Sequence, residues 1–202
     1  RFISGQGHYL ADIQLENAVH AVVVRSGVAH ARFKLEGIED ACNTPGVIDV
    51  ITAAETDHLG GLPSRVLLPN SDGSLPDVPD YPILPQNTVR NVGEAVAMAV
   101  ADTPQAAREA SELIYLDYED LPVVIDPIQA MAEDAPLIWP DRGSNVAFDA
   151  EHGNREATDE AFARADRVVK IDLVNNRTIT NFMEPRGAIG EFDKDSGRYT
   201  LT

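Results

Sequence analysis

Apolar and polar residues alternate along residues 29–35, with Ala29, Ala31, Phe33 and Leu35 set against His30, Arg32 and Lys34. A period of two predicts a strand with one buried and one wet face. The Val-rich residues 18–25 before it (AVHAVVVR) and residues 47–52 (VIDVIT) are short apolar runs that also predict strands. Residues 88–92 and 95–101 predict a strand pair or one kinked strand, with Gly93 at the break. Residues 38–43 read as a short helix stopped by Thr44-Pro45-Gly46. Thr103-Pro104 is a helix start, because Thr caps and Pro suits the first helical position. That helix runs to about Leu113, with Ala106, Ala107, Ala110, Leu113 and Ile114 on one face. Residues 114–118 turn into a strand, Glu119 to Pro122 read as a turn, and residues 123–125 resume as an extended segment.

Elsewhere the pattern breaks. Residues 1–17 are turn-rich. Residues 54–86 carry so many prolines and glycines that they read as one long loop, either a functional or interaction surface or a floppy excursion of the chain. Residues 126–157 read as a meandering linker. Beyond it, residues 158–165 predict a helix with Asp159 and Glu160 at the positive end of its macrodipole. Residues 168–174 (VVKIDLV) predict a strand, and 177–182 a further one. Residues 188–192 and 198–202, either side of a Gly-containing turn, predict a hairpin. The second arm has barely begun at Thr202, which reads as the front end of a larger protein. Strand–helix–strand units recurring over residues 18–125 predict a compact α+β or α/β module.

The 202 residues are 44% apolar, enough for a core, and 24% charged. The 33 Asp and Glu against 16 Lys and Arg give a net charge of −17. That balance disfavours nucleic acid and anionic membrane as partners and favours solubility. Cys42 is the single cysteine, so an internal disulfide and a Cys cluster for zinc or iron–sulfur are excluded. No apolar stretch is of membrane-spanning length, and the lone cysteine fits a reducing compartment, so the expected location is the cytoplasm.

Candidate chemistry is sparse. Gly5-Gln6-Gly7 lacks the lysine of a P-loop and the third glycine of a dinucleotide fingerprint, so it reads as a turn. His8, His20, His30, His58 and His152 show no metal-ligand spacing and are expected at the surface or in ordinary hydrogen bonds. Ser26-Gly27 lacks the helix of a nucleophile elbow. Asp117, Glu119 and Asp120 read as a solvated acidic turn. Glu184-Pro185-Arg186 is the best candidate: proline fixes the backbone, and arginine is an apt partner for an anion. The competing reading is an ion pair that braces the loop. No complete catalytic constellation is present, and no catalytic or metal-binding residue is assigned.

The order of segments carries more. Arg1-Phe2-x-x-Gly5-x-Gly7-x-Tyr9-x-x-Asp12, Val24-Arg25-Ser26-x-x-Ala29-His30-Ala31, Thr44-Pro45-Gly46-Val47 with Ile51-Thr52-Ala53, Val89-Arg90-x-Val92-Gly93-Glu94-x-Val96-Ala97, Asp117-Tyr118-Glu119-x-Leu121-Pro122 and Glu184-Pro185-Arg186 follow one another along the chain. Together they resemble the N-terminal part of the large, molybdopterin-binding subunit of the xanthine dehydrogenase, aldehyde oxidase and aerobic carbon monoxide dehydrogenase family. Ala95 stands where that family usually has proline.

The resemblance implies the α+β class, with an a/b hammerhead domain over residues 1–125, a connection over 126–157, and the beginning of a mixed α/β molybdopterin-binding domain over 158–202. It implies a parent enzyme with molybdenum–molybdopterin, in dinucleotide form or otherwise. That enzyme hydroxylates an aldehyde, N-heterocycle or related small molecule, or oxidises carbon monoxide, with water as oxygen source. Implied partners are the remainder of the large subunit and subunits or domains carrying FAD and iron–sulfur clusters. The chain alone is expected to be inert, with Glu184 and Arg186 at the threshold of the site. The alternatives are a free-standing acidic interaction module with a hammerhead fold, or one chain of a naturally split enzyme.

Overall fold

The computed structural model describes residues 3–65, 68–176 and 178–202. They group into two compact units. One is Val19–Asn154, and the other comprises the described residues of Arg1–Ala18 together with Arg155–Thr202.

Val19–Asn154 contains β1 (His20–Arg25), β2 (Ala31–Glu36), α1 (Ile38–Cys42), β3 (Val47–Ile51), α2 (Ala53–Thr56), β4 (Thr88–Val89), β5 (Ala95–Ala101), α3 (Pro104–Leu113) and β6 (Tyr115–Asp120). Two three-stranded sheets form, in the orders β1-β5-β3 and β4-β2-β6, with every pairing antiparallel. This is the expected α+β class.

The alternation in β2 is realised. Ala31 and Phe33 are buried while Arg32, Lys34 and Glu36 are exposed. On the wet face Arg32 lies opposite Glu119 and Lys34 opposite Asp117. The Arg32–Glu119 ion pair spans 3.1 Å, and at its exposure it is worth at most about 1 kcal/mol. Asp117, Glu119 and Asp120 are therefore residues of strand β6 and not of a turn.

The core is built of small residues. Ala97, Ala99 and Ala101 of β5 and Ala107 and Ala110 of α3 are fully buried, alongside Val89, Val96, Phe33 and Ile114. Alanine at these positions lets helix and strand backbones approach closely, and an added Leu at Ala107 would overpack the site by about 1–3 kcal/mol. α3 starts as expected: Thr103 Oγ1 accepts the Ala106 N–H at 3.1 Å. Leu113 lies outside the apolar face and is exposed.

Three further expectations fail within this unit. β4 and β5 are neither a pair nor one kinked strand, because the chain changes sheets between them. The loop over residues 54–86 opens with helical residues. Thr52 and Glu55 form a capping box around α2, in which Glu55 Oε2 accepts the Thr52 N–H at 2.7 Å. That bond holds the Glu55 carboxyl below its usual range. Finally, His30 is not on the wet face. It precedes β2, is 6% exposed, and its Nδ1 meets the Pro122 carbonyl at 2.7 Å.

In the other unit, α4 (Arg155–Arg164) starts earlier than expected and buries no residue. β7 (Gly190–Asp193) and β8 (Arg198–Leu201) form the expected hairpin, with Phe192 and Tyr199 facing each other at 4.6 Å. Residues 168–174 alternate but form no strand, since no partner strand lies beside them. Of the further strand expected over 177–182, Arg177 lies outside the described residues and 178–182 are irregular. The Arg1-Phe2 start of the quoted opening motif also lies outside the described residues.

Gly37 provides a test of the packing. Its φ is +78°, and a Cβ there would collide with the Leu113 carbonyl oxygen at the end of α3. Gly37→Ala is expected to cost roughly 3 kcal/mol in urea unfolding, through strain plus backbone displacement. A change below about 0.5 kcal/mol, the scale of a neutral surface substitution, would contradict this packing.

Candidate functional site

The candidate Glu184-Pro185-Arg186 is held by the N-terminal turn. Leu10–Asp12 is a single 3-10 turn. Tyr9 N–H donates to Asp12 Oδ2 at 2.9 Å, and Asp12 N–H donates back to the Tyr9 carbonyl at 3.0 Å. The first N–H groups of such a turn have no partner inside it. Glu184 Oε1 accepts one of them, from Leu10, at 2.6 Å across 174 positions of sequence. The Glu184 carboxylate, which the sequence offered as half of an ion pair bracing its own loop, instead caps a distant backbone N–H.

A cleft of about 550 Å³ lies along this contact, lined by Tyr9, Leu10 and residues 182–187. Gly187 lies close under Leu10, where an added Cβ would come within 2.7 Å of Leu10 Cδ2 and make that side-chain end shift. Phe182 and Met183 contribute exposed apolar surface beside Arg186. The Arg186 guanidinium can meet an anion, but Glu184 is already engaged by an N–H. No histidine lines the cleft, and among the described residues no group of three His, Cys, Asp or Glu converges to hold a metal. The arrangement can bind and orient. It contains no nucleophile–base pair of the kind general acid–base or covalent catalysis needs.

The other sequence candidates find structural roles. Ser26 Oγ donates to the Val28 carbonyl at 2.8 Å and accepts the Val28 N–H at 3.1 Å, so it is a turn-bracing hydroxyl. His8, His58 and His152 are exposed, and His20 is half-buried in β1. Gly5 adopts φ +72° in a turn, in keeping with the turn reading.

A second polar cluster carried no assigned role at the sequence level. Glu94 is 4% exposed, and its Oε2 accepts the Arg90 N–H at 2.5 Å while Oε1 has no hydrogen-bond partner. Arg90 Nη1 donates to the Thr88 carbonyl at 3.1 Å and Nε to the Ile138 carbonyl at 3.3 Å. Its guanidinium lies over the Trp139 ring at 3.8 Å from the centroid, a contact worth about 0.5–2 kcal/mol. Burial lowers the Arg90 pKa, and the Glu94 charge opposes that. Tyr81 donates its hydroxyl to Asn91 Oδ1. Burial first, then the Glu94 charge, pushes the Tyr81 phenol up to about 12. The signal available was Val92-Gly93-Glu94, a glycine beside an acid that immediately precedes the apolar run 95–101; in the structure that glycine has φ +85°.

Comparison with known proteins gives this geometry a context. The family model described as the aldehyde oxidase and xanthine dehydrogenase a/b hammerhead domain matches residues 4–122, more than half of the chain. The molybdopterin cofactor-binding domain model matches residues 138–202. The carbon monoxide dehydrogenase large chain of Afipia carboxidovorans is 34% identical over 100% of this chain and 25% of its own length. The nicotine 6-hydroxylase large subunit of Paenarthrobacter nicotinovorans is 31% identical over 100% of this chain and 24% of its own. The solved aldehyde oxidoreductase from Desulfovibrio gigas superimposes with a TM-score of 0.79 at 29% identity, over 98% of this chain and 22% of that one. The chain spans about a quarter of the length of the curated relatives it matches.

Two outcomes check the site. Glu184→Ala removes the cap, and the Leu10 amide is expected to exchange about fivefold faster by NMR, the effect of losing a good cap; an unchanged rate would break the link to Leu10. For Tyr81, the raised pKa means that the folded state holds its proton more tightly, so stability falls as pH rises from about 10 to about 12. Ultraviolet titration is expected to show one of the five tyrosines ionising late, and Tyr81→Phe is expected to remove that phase. A late phase that persists in Tyr81→Phe would contradict the assignment.

Proposed function

We infer the function from the premise that this chain belongs to the aldehyde oxidase and xanthine dehydrogenase family, and propose that it serves as the scaffold portion of a molybdenum-dependent oxidoreductase. In this reading the parent carries molybdenum–molybdopterin and hydroxylates an aldehyde, an N-heterocycle or a related small substrate, or oxidises carbon monoxide, with water as oxygen source. Subunits or domains carrying FAD and iron–sulfur clusters take the electrons. Relatives such as the nicotine 6-hydroxylase large subunit are named as parts of multi-subunit enzymes, which supports partner subunits here.

One observation carries the reading. The part of the chain that matches the molybdopterin-binding model ends in a stretch with almost no buried surface. Val169, Ile171, Leu173, Val174, Ile179 and Met183 are each more than 70% exposed. Apolar side chains in such density are characteristic of surfaces that meet other polypeptide. The remainder of a large subunit is the proposed cover.

The cleft residues do not on their own fit the cofactor. The cleft offers one guanidinium, too little to offset a multiply charged anion; the nearby carboxylate is held by Leu10, and no described group of three ligating residues converges. No catalytic step is therefore assigned to this chain. Glu184 is proposed to hold the loop, and Arg186 to face the site as a positive group. The division into a hammerhead region over 1–125, a connection over 126–157 and a cofactor-domain start over 158–202 remains part of the proposal. Among the described residues no helix is long and apolar enough to cross a membrane. The reading extends to a cytoplasmic location, a compartment in which a lone thiol such as Cys42 stays reduced.

Elemental analysis of the purified 202-residue chain is expected to find no stoichiometric molybdenum. One molybdenum per chain would contradict the scaffold reading.

A further inference from the structure

Residues 126–149 lack regular structure beyond two 3-10 turns, yet they are knotted on themselves. Asp126 Oδ1 accepts the Ile128 and Gln129 N–H groups at 2.8 and 2.9 Å. Asn145 accepts the Ile138 N–H at 3.0 Å and donates to the carbonyls of Ala130 and Pro136 at 3.1 and 2.9 Å. Its outward bonds are of two kinds. At one end Asp149 bonds Asn70 and Ser71 at 2.6–3.2 Å, and Arg142 pairs with Asp77. Those partners belong to the exposed loop and anchor nothing in the core. At the other end Ile138 and Trp139 meet Arg90, which immediately follows β4.

Arg90 is aimed by Glu94. The buried carboxylate holds the Arg90 N–H, which closes the turn through Gly93 and directs the side chain along the Thr88 carbonyl to Ile138 and Trp139. The turn is itself fixed in the core, since Gly93 N–H donates to the Ser26 carbonyl and Ser26 N–H to the Glu94 carbonyl, both at 2.8 Å.

We propose that residues 126–149 and the loop around 70–77 form one strap, and that the Glu94–Arg90 pair is the clasp that seats it on the sheets through Trp139. Opening the strap breaks the cation–π contact, the bond to Ile138 and the attraction between Arg90 and Asp141, and uncovers the half-buried Leu137, Ile138 and Trp139, leaving the sheets and the knot at Asn145 intact. The arrangement is a two-state element whose latch contacts converge on Arg90. Arg90 and Glu94 are positioning residues in this account.

Trp139 is the only tryptophan in the chain, so its fluorescence reports the latch directly. The experiment is acrylamide quenching of the 202-residue protein, with far-ultraviolet circular dichroism as the measure of intact fold. Arg90→Ala is expected to raise the open-to-closed ratio about fivefold, the scale of one ordered cation–π contact. Quenching should then rise and emission shift to the red, while the dichroism is unchanged. Arg90→Lys is expected to fall short of restoring wild-type quenching, because lysine lacks the planar fork. Arg32→Ala, which removes the exposed ion pair on β2, is expected to leave Trp139 unaffected. Unchanged quenching in Arg90→Ala, or full restoration by Arg90→Lys, would overturn the proposal. Glu94→Ala with dichroism as in the wild type is expected to show raised quenching of Trp139; Trp139 as shielded as in the wild type would overturn the proposal too.

Discussion

The chain passes between two sheets within a few residues at two places, and everything else in Val19–Asn154 depends on how those crossings are satisfied. β1 leaves its sheet at Arg25, and β2 begins in the other at Ala31. β4 ends at Val89, and β5 begins in the first sheet at Ala95. A strand that leaves its ladder frees backbone groups that cannot stay unbonded in an interior. The two crossings bond each other through Ser26, Gly93 and Glu94. The three buried polar side chains of the described residues, Ser26, His30 and Glu94, all lie on these crossings. Ser26 and Glu94 close turns, and His30 ties the strand entrance to Pro122. Polar burial here is the means by which one chain feeds two sheets.

That brace lets the alanine-rich core do its work. With the sheets joined, α3 packs against β5 through residues too small to keep the backbones apart, and one unit carries its own core. Arg155–Thr202 is the opposite case. It has a helix without a buried face and a hairpin exposed on both arms. A rigid frame and an apolar, uncovered stretch are complementary properties in a scaffold proposed to work inside a larger enzyme. The Glu184–Leu10 bond shows how a residue in the second kind of region is fixed by a turn remote in sequence.

Local signals were legible and non-local ones were not. The two-residue period of β2 and the Thr103-Pro104 start of α3 depend on a residue and its near neighbours, and both are found in the structure. Nothing near Thr88 or Ala95 reveals that they join different sheets, because that depends on partners in β1, β2 and β3. His30 continues the alternation on paper, but the strand starts one residue later, and the crossing takes the side chain inward. Residues 168–174 have the same alternation as β2 and no ladder, since a period of two becomes a strand only where a partner lies alongside. In the candidate site, Glu184 and Arg186 could be singled out by residue type. The Leu10 amide that engages Glu184 could not, because any backbone N–H looks alike in a sequence. Arg90 and Glu94 stood in a quoted motif, yet their chemistry emerges only with Trp139 in place.

The central claim is that the crossings are part of the core. Native-state amide hydrogen exchange tests it most directly. The amides of Ser26, Gly93 and Arg90 should exchange only through global unfolding, as slowly as those of β5, while amides across 155–189 exchange through local opening. Fast local exchange at Ser26, Gly93 and Arg90 beside a protected β5 would contradict the account, since the sheets would then hold together without the crossings.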